Sequence, residues 1–164
     1  MVIMGFDPGF ATLGYGVIEK TKSGDVKPLD YGAIVTPKEL SMSQRLCAIY
    51  DSINALIQKY NPDAIAIEEL FFNTNTKTAI NVAQARGIII LCSAKGCKKL
   101  YEYTPLQIKQ AMTGNGRAEK RQIQFMVRMM LGLKRAPKPD DAADALAVAL
   151  THAQTNDLNN QNML

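Results

Sequence analysis

The sequence contains no tryptophan, one histidine and three cysteines among its 164 residues. The cysteines are odd in number and include no CxxC pair, so they predict neither a disulfide framework nor a zinc site, and we expect buried or idle thiols. The only histidine, His152, has no second histidine with which to share a metal, which favours a structural or surface position. Thiol and imidazole chemistry are therefore poor candidates for the function.

Long apolar runs are missing as well. The longest, residues 87–94, is far shorter than the roughly 20 residues that a membrane-spanning helix needs. The N-terminus also lacks the basic region and apolar core of a signal peptide. We therefore expect a cytoplasmic protein with no membrane partner.

The charge is modest in total but uneven along the chain. The formal net charge is +4, and eleven lysines and arginines lie between residues 95 and 138, where only two glutamates oppose them. Such a basic block suits a polyanion, because each neutralised phosphate releases counterions. From charge alone, a merely solvated surface is an equally good interpretation.

The hydrophobic pattern alternates between short strands and amphipathic helices. It predicts strands at residues 2–6, 12–20, 31–36, 64–67 and 99–103, and helices after Ser41 or Ser43 and at residues 76–94, 105–112, 118–131 and 140–153. The second half of the helix at 76–94 is also compatible with a strand, because residues 88–90 are all isoleucine. This order predicts one α/β domain over residues 1–154, with a three-strand antiparallel meander, parallel strands and helices on the sheet faces. Residues 155–164 are predicted to be a disordered tail.

Acidic residues follow two predicted strands and begin the last helix. Asp7 follows the first strand, Glu68 follows the strand at 64–67, and Asp141 and Asp144 share one helical face. Each cluster alone is compatible with a turn, a solvated strand end or acids at a helix N-terminus. Together they predict a site for Mg²⁺ or Mn²⁺, because clustered carboxylates repel one another without a cation and hard oxygen ligands favour these ions. A pair of such ions can activate water and stabilise a leaving oxygen in phosphoryl chemistry.

Two positions in this set have close competitors. Glu69 lies beside Glu68, and Asp140 lies beside Asp141 at a spacing of four from Asp144. Both alternatives stay open on the residues alone.

Five segments occur in a specific order along the chain. They are MGFDPGFATLGYGVIE near the start, AIAIEELF in the middle, QARG at residues 84–87, AEKRQ at residues 118–122 and DDAADALAVALTH near the end. The ordered set, which spans residues 2–152, resembles the RuvC family of Holliday junction resolvases. The resemblance implies a ribonuclease H-like fold, a homodimer and Mg²⁺-dependent paired nicking of four-way DNA junctions at symmetric positions.

The resemblance also implies roles for individual residues. Catalysis and binding of two Mg²⁺ ions, with Mn²⁺ as a substitute, would involve Asp7, Glu68, Asp141 and Asp144. DNA contacts would involve Phe71, Lys109, Arg117, Lys120 and Arg121, with Phe72 as an alternative to Phe71 at the junction bases. The helix that carries QARG resembles part of a dimer interface, and the RuvA and RuvB branch-migration proteins are implied as partners.

Three other functions compete with this interpretation. The first segment also resembles the phosphate loop of actin-like and sugar-kinase ATPases, but that architecture needs a second similar half, for which the chain is too short. A non-catalytic junction binder would not need the full set of acids. Another ribonuclease H-like nuclease, acting on RNA, flaps or damaged ends, is the alternative that the sequence excludes least.

Overall fold

The computed structural model describes residues 1–70, 76–96, 99–155 and 162–164, which form a five-stranded mixed sheet with helices. The strands are β1 (Val2–Asp7), β2 (Thr12–Lys20), β3 (Val26–Val35), β4 (Ala64–Glu68) and β5 (Leu100–Tyr103). The helices are α1 (Met42–Tyr60), α2 (Thr76–Gly96), α3 (Pro105–Thr113), α4 (Lys120–Met130) and α5 (Asp140–Gln154). Within these ranges, no helix combines the length and apolar content needed to span a bilayer.

The strand order is β3-β2-β1-β4-β5. The first three strands form an antiparallel meander, whereas β1, β4 and β5 run parallel, so the predicted mixed sheet is confirmed. β3 begins at Val26, five residues before the predicted start, and contains Pro28. A proline is tolerated there because, in the part of the chain that the structure describes, β3 is at the edge of the sheet and pairs with a strand on one side only.

The sheet has a hydrophobic core on each face. α3, α4 and α5 contribute to one core, and α1 and α2 contribute to the other. In β4, Ala64 and Ala66 belong to the first core, and Ile65 and Ile67 belong to the second. The continuous apolar run of β4 is thus explained by burial on both faces of the sheet.

α2 remains helical through its isoleucine run, where the sequence left helix and strand open. Ile89 and Cys92 are fully buried in the same core as Ile49 and Ile53 of α1. Packing of one helix face against α1 therefore overrides the preference of β-branched residues for strands. Of the two cysteines in the described ranges, Cys92 is buried and Cys47 is exposed.

The last three residues, 162–164, lie along the free edge of β5. The Leu164 N–H donates to the Leu100 carbonyl oxygen at 2.9 Å, and Met163 forms a bridge with Tyr101. This pairing is explained by the unpaired backbone groups that an edge strand presents to an extended segment beside it. The disorder predicted for residues 155–164 stays a prediction.

Candidate active site

Two parallel strands end side by side at the centre of the sheet. β1 and β4 pair with Phe6 opposite Ile67, and Asp7 and Glu68 are the next and last residues of their strands. Adjacent strands are about 4.8 Å apart, so the two carboxylates leave the same edge of the sheet as neighbours. The structure thus brings together the two acids that the sequence placed at strand ends.

Two glycines let α5 lie directly against this part of the sheet. A Cβ on Gly14 would lie 2.0 Å from the backbone oxygen of Asp141, and a Cβ on Gly5 would lie 2.2 Å from the backbone oxygen of Ala145. Any other residue at either position would therefore push the helix away. Because Gly14 pairs with Asp7 in the β1–β2 hairpin, this contact sets the start of α5 beside the end of β1.

The carboxylates raise one another's pKa. Burial, followed by the negative charges of Glu68, Asp144 and Asp141, raises the pKa of Asp7 from 3.8 to about 8. Burial and the charge of Asp144 raise the pKa of Glu68 to about 7, although Lys109 and Lys120 oppose this shift. Burial and neighbouring negative charges both favour the neutral, protonated form of these acids, and positive charge bound beside them would favour the ionised form instead.

Lys120 supplies part of the positive charge beside these acids. The Lys120 Nζ donates to a carboxylate oxygen of Asp144 at 2.7 Å. Burial raises the pKa of Asp144, and the hydrogen bond and charge of Lys120 reduce that rise. For Lys120, burial lowers the pKa, but its hydrogen bond and attraction to Asp144 outweigh burial, so the net pKa is raised.

A cleft of about 200 Å³ opens beside these groups. Its charged lining consists of Glu68 and Asp144 on one hand and Lys109 and Lys120 on the other. Carboxylates and ammonium groups around one small opening could hold a metal ion and an anionic substrate together. The cleft is therefore the candidate active site.

The donor set fits a hard divalent cation, because it offers carboxylate oxygens whose repulsion a cation would relieve. Asp7, Glu68, Asp141 and Asp144 are the residues that could hold it. Among the described residues, no group of three acidic, histidine or cysteine side chains is arranged to hold an ion as placed.

The competing acids, Glu69 and Asp140, have other side-chain surroundings. Glu69 lines a different hollow with Arg86 and Glu102, which form a salt bridge with each other. Asp140 has a side chain that is 44% exposed and accepts a hydrogen bond from Lys138 at 2.8 Å. The structure therefore groups Glu68, and not Glu69, with Asp7.

On α5, the electrostatic contacts of Asp7 favour Asp141 over Asp140, although the charge of Asp140 contributes to raising the pKa of Asp144. Asp141 is among the groups that raise the pKa of Asp7, and Asp140 is not. Asp140 instead has its own pKa lowered, first by the hydrogen bond from Lys138. The negative charges that raise the pKa of Asp7 are thus those of Glu68, Asp144 and Asp141.

The cations predicted to contact DNA lie in two places. Lys109 and Lys120 line the cleft, whereas Arg117 and Arg121 are exposed outside it. Arg121 lines a separate groove of about 760 Å³. Phe71 and its alternative Phe72 lie outside the described residues.

His152 takes the structural one of the two positions, structural or surface, that the sequence favoured. It is buried, which agrees with a structural position and not with a surface one, and its Nδ1 is 2.7 Å from the hydroxyl of Tyr103. Tyr103 is the β5 partner of Glu68, so this buried pair supports the strand that carries an acid. The signal was available in the sequence, because α5 has apolar residues on all sides before His152, which is typical of a fully buried helix.

The strand order and the layers of helices define a ribonuclease H-like protein, as the match to solved resolvases of this fold shows. Crossover junction endodeoxyribonuclease RuvC is the family whose sequence profile matches residues 3–152. The chain belongs to the RuvC family. Both the family resemblance and the fold predicted from the sequence are thereby confirmed.

Individual relatives cover nearly the whole chain. A crossover junction endodeoxyribonuclease RuvC of Clostridioides difficile is 54% identical over 158 residues, which make up 96% of this chain and 93% of the relative. The protein of that name in Alkaliphilus metalliredigens is 56% identical over 155 residues, or 94% of each chain. The structure of Thermus thermophilus RuvC in complex with a Holliday junction substrate matches with a TM-score of 0.88 at 37% identity, over 93% of both chains.

Proposed function

We propose that this protein is a crossover junction endodeoxyribonuclease that resolves four-way DNA junctions by paired, symmetric hydrolysis of phosphodiester bonds. The observation that carries the proposal is the buried acid cluster of Asp7 and Glu68 beside the lysines of the cleft. Support comes from relatives named crossover junction endodeoxyribonuclease and from the match to a solved RuvC bound to a Holliday junction. Recombination and repair of DNA are the processes that such cleavage serves.

The proposed cofactor is Mg²⁺, with two ions per site and Mn²⁺ as a substitute. Bound divalent ions would lower the pKa of water and stabilise the leaving oxygen. The ions would be held by Asp7, Glu68, Asp141 and Asp144. The nearby lysines only partly offset the mutual repulsion of these acids, and bound cations would relieve the rest.

The lysines of the cleft bind and orient the substrate in this proposal. Lys109 and Lys120 neutralise a phosphate next to the acids, and Lys120 exchanges its contact with Asp144 for a contact with DNA. Arg117 and Arg121, which are exposed outside the cleft, hold the flanking backbone. Phosphate contacts of this kind position DNA without specifying its sequence.

The proposed assembly is a homodimer formed through α2. One face of this helix carries Ile80, Ala83, Gly87, Leu91 and Ala94, at spacings of three or four residues. Ile80 is 63% exposed and Leu91 is 46% exposed, so a continuous apolar face lies open in the single chain. Such a pattern is typical of helices that pair closely, and a two-fold dimer would present two equal sites to a nearly two-fold junction.

The remaining assignments rest on the family. We propose that RuvA and RuvB act with this protein and that it works in the cytoplasm, where bacterial relatives meet their DNA. Pull-down of purified RuvA and RuvB on an immobilised junction, with and without this protein, tests the partners. Absence of any ternary complex would contradict that assignment.

The test of the function compares three substrates of the same sequence in Mg²⁺: a four-way junction, a linear duplex and an RNA/DNA hybrid. We expect cuts at symmetric positions in two opposing strands of the junction and little cleavage of the others. Preferential cutting of the hybrid would favour a different ribonuclease H-like nuclease. Tight junction binding without cleavage would identify a non-catalytic binder.

A further inference from the structure

The turn between β1 and β2, residues 8–11, follows directly after Asp7 and is held from outside the hairpin. Thr36, which follows β3, donates from Oγ1 to the carbonyl oxygen of Phe10 at 2.6 Å. Its backbone N–H donates to the carbonyl oxygen of Ala11 at 3.0 Å. Thr36 is 4% exposed and Phe10 is 8% exposed, so these bonds are shielded from water and hold the turn strongly.

Arg45, near the start of α1, completes this contact. Its Nε donates to the Thr36 Oγ1 at 2.9 Å, and its Nη2 donates to the Phe10 carbonyl oxygen at 3.4 Å. The guanidinium carbon also lies 3.9 Å from the centre of the Phe10 ring. A planar guanidinium can make these contacts simultaneously, which a lysine cannot.

The charge of Arg45 is directed at the turn and not at a carboxylate. None of the salt bridges among the described residues includes Arg45. Here it contacts the backbone oxygen and side chain of one turn residue, Phe10.

The turn itself is tightly packed. A Cβ on Gly9 would lie 1.9 Å from the backbone oxygen of Thr12, so the chain folds back on itself within a few residues. A displacement of the Phe10 backbone would therefore move both ends of the turn, and Asp7 lies directly before the first of them. Misplacement of a reacting group by about 1 Å can cost on the order of 100-fold in rate.

We infer that Arg45 is a positioning residue for the cleavage site, which acts through Thr36 and Phe10 to fix the turn that orients Asp7. The inference rests on the proposed function for its catalytic consequence. Arg45 itself does not touch the acids or the cleft in this role. It links α1, on one face of the sheet, to the end of the central strand.

The test uses Arg45→Ala, Arg45→Lys and Thr36→Val, with Lys59→Ala as the matched control. Lys59 is a cation at the opposite end of the same helix, 3.5 Å from Asp30. Single-turnover cleavage of saturating junction is measured over a range of Mg²⁺ concentrations, and junction affinity is measured in EDTA. We expect Arg45→Ala to slow cleavage roughly 10- to 100-fold and to raise the Mg²⁺ requirement, without a change in junction affinity.

The other variants separate geometry from charge. Arg45→Lys keeps the charge and is expected to stay slow, and Thr36→Val is expected to shift rate and Mg²⁺ requirement in the same direction. Lys59→Ala is expected to behave as the wild type. Wild-type rate and Mg²⁺ dependence in Arg45→Ala would overturn the inference. So would a loss confined to junction affinity with a shallower salt dependence, because that result would make Arg45 a phosphate contact.

A second measurement does not depend on cleavage. Amide hydrogen exchange in a peptide that covers residues 7–14 is expected to be faster in Arg45→Ala and Thr36→Val than in the wild type or Lys59→Ala. Unchanged exchange would overturn the inference even if the rate fell. If the wild type does not cut junctions but exchange still rises, the proposed function fails while the positioning contact stands. If Arg45→Ala does not fold, Thr36→Val provides the same two measurements.

Discussion

Replacing Asp7 with asparagine should stabilise the metal-free protein even though it removes an acid from the proposed active site. The pKa of Asp7 is raised to about 8 by burial and by its acidic neighbours, whereas the same carboxyl has a pKa near 3.8 without them. The folded chain therefore holds a proton that the unfolded chain releases. Stability is lost as the pH rises from about 4 to about 8, because the unfolded chain binds fewer protons in that range.

The size of the effect follows from the shift. Each pKa unit corresponds to about 1.36 kcal/mol, so the cost reaches about 4 kcal/mol at pH 7 if Asp7 alone responds. Glu68 takes up protons in the same range and relieves part of the repulsion. We therefore expect Asp7→Asn to stabilise the protein by about 2 kcal/mol at pH 7, or roughly 4–8 °C in Tm for a chain of this length.

The assay is thermal unfolding in EDTA at several pH values from 5 to 8, repeated with Mg²⁺. The gain from Asp7→Asn should grow with pH, and Mg²⁺ should stabilise the wild type more than the variant, because a ligand stabilises only the state that binds it. Asp140→Asn is the matched control, because the pKa of Asp140 is lowered, first by its hydrogen bond with Lys138. A variant that is no more stable than the wild type at pH 8, or whose gain is the same at pH 5, would refute the reasoning.

Three further changes test the site, the DNA contact and the dimer. Glu68→Gln should reduce junction cleavage by at least about 100-fold while Glu69→Gln leaves most of it, and equal losses in a cleavage assay would contradict the grouping of Glu68 with Asp7. Lys109→Ala should weaken junction binding and reduce the salt slope by about one, and a titration that gives an unchanged slope would point to other cations. Leu91→Glu should convert the proposed dimer to monomers in sedimentation velocity, whereas Phe125→Glu, which alters an exposed apolar residue of α4, should not. A Leu91→Glu variant that remains dimeric would exclude this face of α2 as the interface.

Much of the fold could be predicted because its signals are local. Strand ends were marked by Pro8 and Gly9 and by the acids after residue 67. The start of α1 was marked by Ser41 or Ser43, of which Ser41 forms a capping box with Gln44. These signals depend on backbone preferences within a few residues. The bounds of β3 could not be predicted, because its first residues become a strand only by pairing with β2.

By itself, the sequence determined which chemical groups are present and on which elements they lie: acids after two strands and at the start of the last helix, with lysines on the helices between them. Only the tertiary structure decided which members of each cluster meet. Neighbouring residues at a strand end point to opposite faces, so Glu68 joins Asp7 while Glu69 lines another hollow. The ion pair of Lys120 with Asp144 joins residues that are distant in the chain. Local patterns fix the direction of a side chain on its element, but long-range packing of α5 against the glycines of the sheet fixes what that side chain meets.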